Sequence, residues 1–536
     1  MSLSRSIIIF LSICLLLSCS VNSSVLTESS ESLFATASKN AEQANEGFKR
    51  ADKFVRGWLE LADPKTGLIP RNTNDLYWNA QDSAADNYPF MVLTSSFTDT
   101  SLFQGKMKDM LDTEIKLTSR IDSLPDTFDF KTQKFRTDKP NINSIIFGSS
   151  EYIKDGLLPL TEWLGKSPWY DRMIAILDDM WRHAPVETPF GKIVSNNIEV
   201  NGEMLQTLSR LYWMTGNDQY LQYAVRLGDY YLLGDHHPTN DIKHLRLRDH
   251  GCEIVSGLCE LYATVSFAKP DKKKQYEKPI HQMLDRILEV GRKDDGMFYD
   301  AVNPITGEVV SKRVADTWGY TYNGYYTVYM IDKTQRYLDE TKRVLKSISK
   351  YTNYAWEGAS SDGYADSIES AISLYNRLPT ASVAGWIDSE TKVMWAKQKP
   401  TGVIEGWHGD GNFARTTIMY CLWKTKGISI HPWRADVRIG AVQNGDKLYI
   451  SLISKKPWTG SIKFDQPRHK KTMKLPIDWP RINHFPEWFT AKEGKSYTLI
   501  NTADSSASTY TSVQMIDGIP FSAKPNTKYR LTLTVK

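Results

Sequence analysis

A repeat constrains this chain more than any other feature. Four times a tyrosine follows a polar turn: Tyr170 after Gly-Lys-Ser-Pro-Trp, Tyr220 after Gly-Asn-Asp-Gln, Tyr276 after Asp-Lys-Lys-Lys-Gln and Tyr337 after Asp-Lys-Thr-Gln-Arg. Their separations are 50, 56 and 61 residues, each enough for one helical hairpin. Around the turns, 41–61, 103–121, 202–214, 219–233, 253–267 and 275–290 place apolar residues at spacings of three and four, the helical period. A lone hairpin cannot cover its apolar face, so hairpins of this period stack as an open solenoid or a closed ring. About six fit before residue 425, which favours a mainly α fold, an (α/α) toroid. The stretches 64–88, 122–148, 235–250, 294–317 and 400–411 read as non-helical loops building one of its faces.

At Gly427 the pattern changes from helical to alternating. Segments from Asp436, Lys447, Trp458, Ser496 and Lys528 are β-branched with period two, and Asn444-Gly445-Asp446 reads as a hairpin turn. They predict a small antiparallel β-sandwich over 427–536, structural or glycan-contacting, after a toroid over 32–426.

The beginning of the chain reads as an address. Arg5, the apolar run 7–17 and the small residues after it form an export signal over 1–18, too short to span a bilayer. Leu16-Leu17-Ser18-Cys19 resembles a bacterial lipobox, which implies lipidation of Cys19, a Ser-rich tether over 19–31 and a place in the cell envelope, anchored to a bacterial membrane. Cys252 and Cys259 lie about 10 Å apart along a helix axis, beyond disulfide reach, so burial is expected for them. No metal motif or cofactor fingerprint stands out.

Charge is local, because 66 basic residues nearly balance 62 acidic ones. The segment 235–250 holds His236, His237, His244 and His250, four of ten histidines, together with Lys243, Arg246 and Arg248. Read as extended chain, it sets His244, Arg246, Arg248 and His250 on one side, with Leu245 and Leu247 as anchors on the other. Such a row suits an anionic polysaccharide, since Arg grips carboxylate or sulfate and His exchanges a proton near neutral pH. Nucleic acid is excluded: the basic residues form one short loop, not a stripe. Four neighbouring histidines also offer donors enough for a structural zinc.

Cleavage of a uronate chain by β-elimination needs a group to neutralise the carboxylate, a base, and an acid for the leaving oxygen. Arg248 and Arg246 can meet the carboxylate, joined by Asn201, placed as a helix cap, and Glu203. His250 or Tyr320 can act as base and Tyr322 as acid, with Asn323 beside them and His408 assisting. Three glycines around Trp407, His408 and Asp410 read as a tight loop that leads into a helix, with Arg415 one turn into it. Trp78, Asn87-Tyr88, Trp356-Glu357 and the Asp362-Gly-Tyr364 loop are further candidate sugar contacts. An alternative is a glycoside hydrolase, its two carboxylates drawn from Glu203, Asp249, Glu253, Asp316, Glu357 and Asp410. A third reading is a surface glycan-binding lipoprotein without activity.

The segments Arg246-x-Arg248-Asp249-His250-Gly251, Asp316-Thr-Trp-Gly-Tyr320 and Trp407-His408-Gly-Asp-Gly-Asn-Phe-x-Arg415 together resemble the broad-specificity ulvan and glycosaminoglycan lyases of marine Bacteroidetes. The resemblance implies endolytic β-elimination on sulfated, uronate-containing polysaccharides such as ulvan or chondroitin, dermatan and heparan sulfates, with no cofactor.

Overall fold

The computed structural model describes residues 29–536, the side chain of His250 excepted. The export signal, Cys19 and most of the tether lie outside the described residues. Amphipathic helices alternate with helices buried nearly all round, as an outer and an inner layer require. In chain order the helices are α1 (Ser30–Glu60), α2 (Tyr88–Thr98), α3 (Thr100–Gln104), α4 (Lys106–Thr118), α5 (Ile142–Glu151), α6 (Leu158–Leu164), α7 (Pro168–Arg182) and α8 (Ile198–Thr215). They continue as α9 (Asp218–Leu232), α10 (Glu253–Ala268), α11 (Pro270–Val290), α12 (Trp318–Asp332), α13 (Gln335–Ser347), α14 (Ser361–Arg377), α15 (Ala381–Ala396) and α16 (Asn412–Thr425).

The inner layer is a closed ring. It runs α2, α5–α6, α8, α10, α12, α14 and α16, and α16 returns to pack on both α2 and α1. Seven outer–inner pairs therefore make the (α/α) toroid, against about six counted from the repeat. The extra pair arises because Ala80–Asn87, read as loop, is a π-helical turn that runs directly into α2. A second π-helical turn, Tyr152–Leu157, joins α5 to α6, and the two turns pack on each other. Gly156 permits this approach: a Cβ there would sit 2.8 Å from the Ala85 carbonyl oxygen.

Three of the four repeated tyrosines are staples between successive outer helices. Tyr220 donates to Asp178 at 3.0 Å, Tyr276 to Asp229 at 2.6 Å and Tyr337 to Asp285 at 3.2 Å. Side-chain caps at Ser29, Asn141, Ser167, Asn197 and Asn217 start α1, α5, α7, α8 and α9, each stabilising its helix by about 1 kcal/mol. Cys252, Cys259 and Cys421 are free and buried.

Beside the toroid's face, β1 (Leu245–Arg246), β2 (Tyr299–Asn303) and β3 (Glu308–Val314) form an antiparallel sheet. After α16 come β4 (Ser429–His431), β5 (Val437–Asn444), β6 (Lys447–Ser454), β7 (Trp458–Lys463), β8 (Ser496–Asn501), β9 (Ala507–Thr511), β10 (Ile519–Ala523) and β11 (Lys528–Val535). They make a five-stranded sheet, β5-β6-β11-β8-β9, and a three-stranded one, β10-β7-β4, every pair antiparallel. Ile439, Ile450 and Leu531 of one sheet meet Ile462 and Ile519 of the other in a shared core, so the unit is a sandwich. The larger sheet rests on α1, where Phe34 meets Tyr449 edge-on at 5.3 Å. Between β7 and β8 the chain leaves the sandwich and returns to the toroid. There Trp479 donates to Glu260 at 3.0 Å, and Arg481 pairs with Glu162.

Candidate functional site

A cleft of about 490 Å3 opens at the centre of the ring. One wall comes from the first loop and the first π-turn: Arg71, Tyr77, Gln81, Asp82 and Asp86. The second π-turn and its flanks add Glu151, Lys154 and Asp155, and α8 adds Glu199. Arg246, Asp249 and Glu253 follow, then Thr317 and Tyr320 at the start of α12. Glu357, Asp362, Asp366, Trp407, His408, Asn412 and Arg415 complete the wall, and Asn483 reaches in from the sandwich.

Acid dominates this lining, with ten carboxylates against four cations and one imidazole. Every one of the four cations already holds a carboxylate. Arg71 lies 2.7 Å from Asp82 and 3.0 Å from Asp75. Lys154 bridges Asp155, at 2.7 Å, and Glu253. Arg246 pairs with Asp249, while Arg415 sits 2.6 Å from Asp366 and 2.8 Å from Glu369.

The protonation pattern follows from burial and crowding. Asp362 is partly exposed at the cleft yet enclosed on its other sides. Burial, reinforced by Asp366, Asp410 and Glu357, raises its pKa well above the carboxylate range. Burial likewise pushes Glu369 up to about 7 in spite of Arg415. Burial opposes a charge on His408, but Asp86 and Asp82 outweigh it and lift the imidazole above its usual value. His408 donates from Nδ1 to the Gly409 carbonyl at 2.8 Å, which leaves Nε2 facing Asp86 at 3.8 Å. Trp407 is 67 % exposed at the cleft, its ring backed by the Arg71 guanidinium at 4.7 Å.

Of the residues singled out from sequence, the structure brings Arg246, Asp249, Glu253, Tyr320, Glu357, Asp362, Trp407, His408 and Arg415 into this cleft. Burial raises the Tyr320 pKa well above that of a free phenol, which disfavours the phenolate that a base would need. The others lie elsewhere. Tyr322 is buried and donates to the Gly296 carbonyl at 2.6 Å, against Phe298. Asn323 is buried between α12 and α14, accepting from Ser373 at 3.4 Å. Asn201 is not the cap of α8: Asn197 is, and Asn201 one turn later donates to Tyr231 at 2.9 Å. Glu203 is buried in α8 behind the cleft. Trp78, Asn87, Tyr88, Trp356 and Tyr364 are core residues.

The extended row over 244–250 does not form. Only Leu245 and Arg246 pair as strand, and Asp249, at φ 50°, turns the chain into a short 3-10 helix. Arg248 is thereby turned to Asp300, 3.6 Å away, and Glu357, 3.5 Å away. His236 stacks on Tyr230, and His237 bonds the Pro279 carbonyl. The His250 side chain lies outside what is described.

Two groups bring three metal-capable donor atoms within 4.8 Å of one another among the described residues: Asp82, Asp86 and His408, and Glu151, Glu199 and Glu203. Neither draws on His236, His237 or His244. Sequence reasoning missed Asp82, Asp86, Lys154, Asp155, Asp366, Glu369 and Asn483. A signal existed for two of them: Lys154-Asp155 is a charged pair inside an apolar helical run, and charges buried there must be paired.

Fold and cleft together define the class: a closed (α/α) toroid with an acidic central cleft and a β-sandwich packed on its first helix. Among solved structures the chain is similar to the GH76A α-1,6-mannanase of Salegentibacter sp., at 11% identity over 70% of this chain and 98% of that one, TM-score 0.40. It is also similar to a family 76 glycoside hydrolase from Bacteroides thetaiotaomicron, at 14% identity over 59% of this chain and 76% of that one, TM-score 0.40. A third similar structure is the cellobiose 2-epimerase of Bacillus thermoamylovorans, at 11% identity over 60% of this chain and 99% of that one, TM-score 0.41. No family model matches the sequence, and no curated protein does.

Proposed function

We propose that this chain is a polysaccharide-cleaving enzyme of the glycoside hydrolase kind, acting on a sugar that is uncharged at the point of cleavage. The observation that carries this reading is the cleft's charge: ten carboxylates line it, and each of its four cations is already engaged. A uronate or sulfate entering it would meet repulsion, with no unpaired Lys or Arg among the described residues that line it. Hydrolysis instead needs one protonated and one ionised carboxyl group. Asp362, held neutral by burial and by its acidic neighbours, fits the general acid. Its proton passes to the glycosidic oxygen as the bond from the anomeric carbon breaks. Asp86, beside the His408 imidazole, fits the partner that takes a proton from attacking water or bonds the anomeric carbon. Trp407 offers a sugar a stacking face.

A second reading, β-elimination on ulvan or a glycosaminoglycan, draws support from Arg246, Tyr320, Trp407, His408 and Arg415 sharing the cleft. One experiment separates the two. Neutral polysaccharides, α-1,6-mannan among them, and ulvan and chondroitin sulfate are digested while reducing ends and ultraviolet absorbance are followed together. Hydrolysis predicts reducing ends without absorbance, abolished in Asp362→Asn and Asp86→Asn. Absorbance from an unsaturated uronate would establish the lyase and overturn the hydrolase. The Leu16–Cys19 motif supports a lipid-anchored place in the envelope, which fatty-acid labelling of wild type but not of Cys19→Ala would test.

A further inference from the structure

The sandwich contributes to the cleft through one residue. Asn483 lies at the far end of the excursion between β7 and β8, only 2 % exposed, and its backbone φ is 60°. Its neighbours pin the chain there: Arg481 pairs with Glu162, Arg210 donates to the Ile482 carbonyl at 3.1 Å, and Arg468 to the Phe485 carbonyl at 2.8 Å. The backbone path is thus set by contacts other than the Asn483 side chain. A positive φ favours glycine, and asparagine is among the few other residues that tolerate it. What asparagine adds over glycine is a carboxamide, and both its ends are used. Nδ2 donates to Asp155 at 2.7 Å, and Oδ1 accepts from Arg415 at 3.0 Å. Its backbone N–H donates to Glu369 at 2.7 Å.

We infer that Asn483 is a positioning residue through which the β-sandwich completes the site, holding two separate stretches of the cleft wall in one hydrogen-bonded charge network. On one side stand Asp155 and Lys154, with Glu253 of α10 behind them. On the other stand Arg415 of α16, Asp366 and Glu369 of α14, and Tyr320 of α12, whose hydroxyl lies 3.0 Å from both carboxylates. A neutral group that donates to one stretch and accepts from the other links them without adding charge. Donation to Asp155 holds its carboxylate in place, and accepting from Arg415 fixes the guanidinium that holds Asp366 and Glu369. The inference rests on the proposed reading only in taking this cleft as the active site.

Asn483→Gly tests it, because glycine accepts the backbone angle and removes only the carboxamide; Asn483→Asp keeps the acceptor for Arg415 but sets a charge beside Asp155. With the polysaccharide that wild type cleaves, Asn483→Gly is expected to lower kcat about a hundredfold with KM within about threefold, as misplaced catalytic groups do. Its pH–rate profile is expected to move, and that of Asn483→Asp to move further. A second arm needs no substrate: urea midpoints of wild type and both variants at pH 5.5 and pH 8. The inference expects the difference between the two midpoints to change in both variants. Unchanged kcat and pH profile, or in the second arm a midpoint lowered equally at both pH values, would make Asn483 a structural residue and overturn it. Failure of wild type to cleave any polysaccharide would sink the proposed function instead, and the urea arm would still decide the network.

Discussion

Glu369 shows how a buried carboxylate ties this fold to pH. Its unfolded pKa is near 4.5, and burial raises the folded value to about 7 although Arg415 lies beside it. Between those values the folded state holds a proton that the unfolded chain has lost, so stability from this group is full below 4.5 and is lost as pH rises through 7. Glu369→Gln removes that titration, and urea unfolding between pH 5 and 7 should then show a flatter decline than wild type. Trp407 is the opposite kind of residue, exposed at the surface, touching Arg71 and His408 and taking no part in the buried core. Trp407→Ala should leave thermal stability unchanged while raising KM roughly tenfold, the loss of about 1.4 kcal/mol of stacking. This contrast also explains what sequence made legible. Trp407 and His408 were visible because glycines bracket them in a loop, and Arg415 because it follows one turn into the helix that this loop starts. Asp82 and Asp86 were hidden because they sit on a π-helical turn, a backbone form that no periodicity announces. Lys154 and Asp155, on the second such turn, were marked only by being a charged pair in an apolar run. Arg248 and His250 looked like one row with Arg246 only because the turn at Asp249 could not be foreseen.

Helices pack in this ring as closely as their residues allow, and α8 against α10 is the tightest case. A Cβ at Gly202 would lie 2.4 Å from the Ile254 nitrogen, and one at Gly257 would lie 2.4 Å from the Gly202 carbonyl oxygen. In an exposed helix, Gly→Ala stabilises by about 1 kcal/mol. At Gly202 that gain meets backbone that cannot yield, and overpacking of this kind costs about 1–3 kcal/mol or more. Gly202→Ala should therefore lower the urea midpoint, and it should disturb the cleft, because Glu253 is the residue displaced. Gly385 of the outer helix α15 is the control, since nothing lies within 4 Å of a Cβ there. Gly385→Ala should raise the midpoint, and a rise at both glycines would refute the close crossing. The outer helices were readable from their apolar stripes and the tyrosine turns. Of the inner ones, α8 and α10 were legible over 202–214 and 253–267, close to their observed limits. By contrast, α2, α12 and α16 are buried nearly all round and show little apolar period, and their limits were not read.

At the scale of the whole molecule, the sandwich and the toroid are joined by charge as well as by apolar contact. Arg481 of the excursion and Glu162 of α6 are both almost wholly buried, their side chains paired, and Arg481 also reaches Asp478 at 2.9 Å. The ion pair's net stabilisation is small, because taking both charges out of water offsets most of their attraction. Removing one partner is different, since it leaves the other charge buried without a counterion. Arg481→Met should therefore destabilise the protein by about 3–5 kcal/mol, with Glu162 stranded in α6. Glu162→Leu should also destabilise, whereas the pair of substitutions together should recover most of the loss. Equilibrium unfolding of the four proteins gives the coupling energy directly. If the toroid and sandwich unfolded in two separate steps in wild type, this linkage would be weaker than the burial implies. A single cooperative transition that splits in Arg481→Met would show that the excursion welds the two units, and would place the carboxamide of Asn483 two residues from the weld that holds it in the cleft.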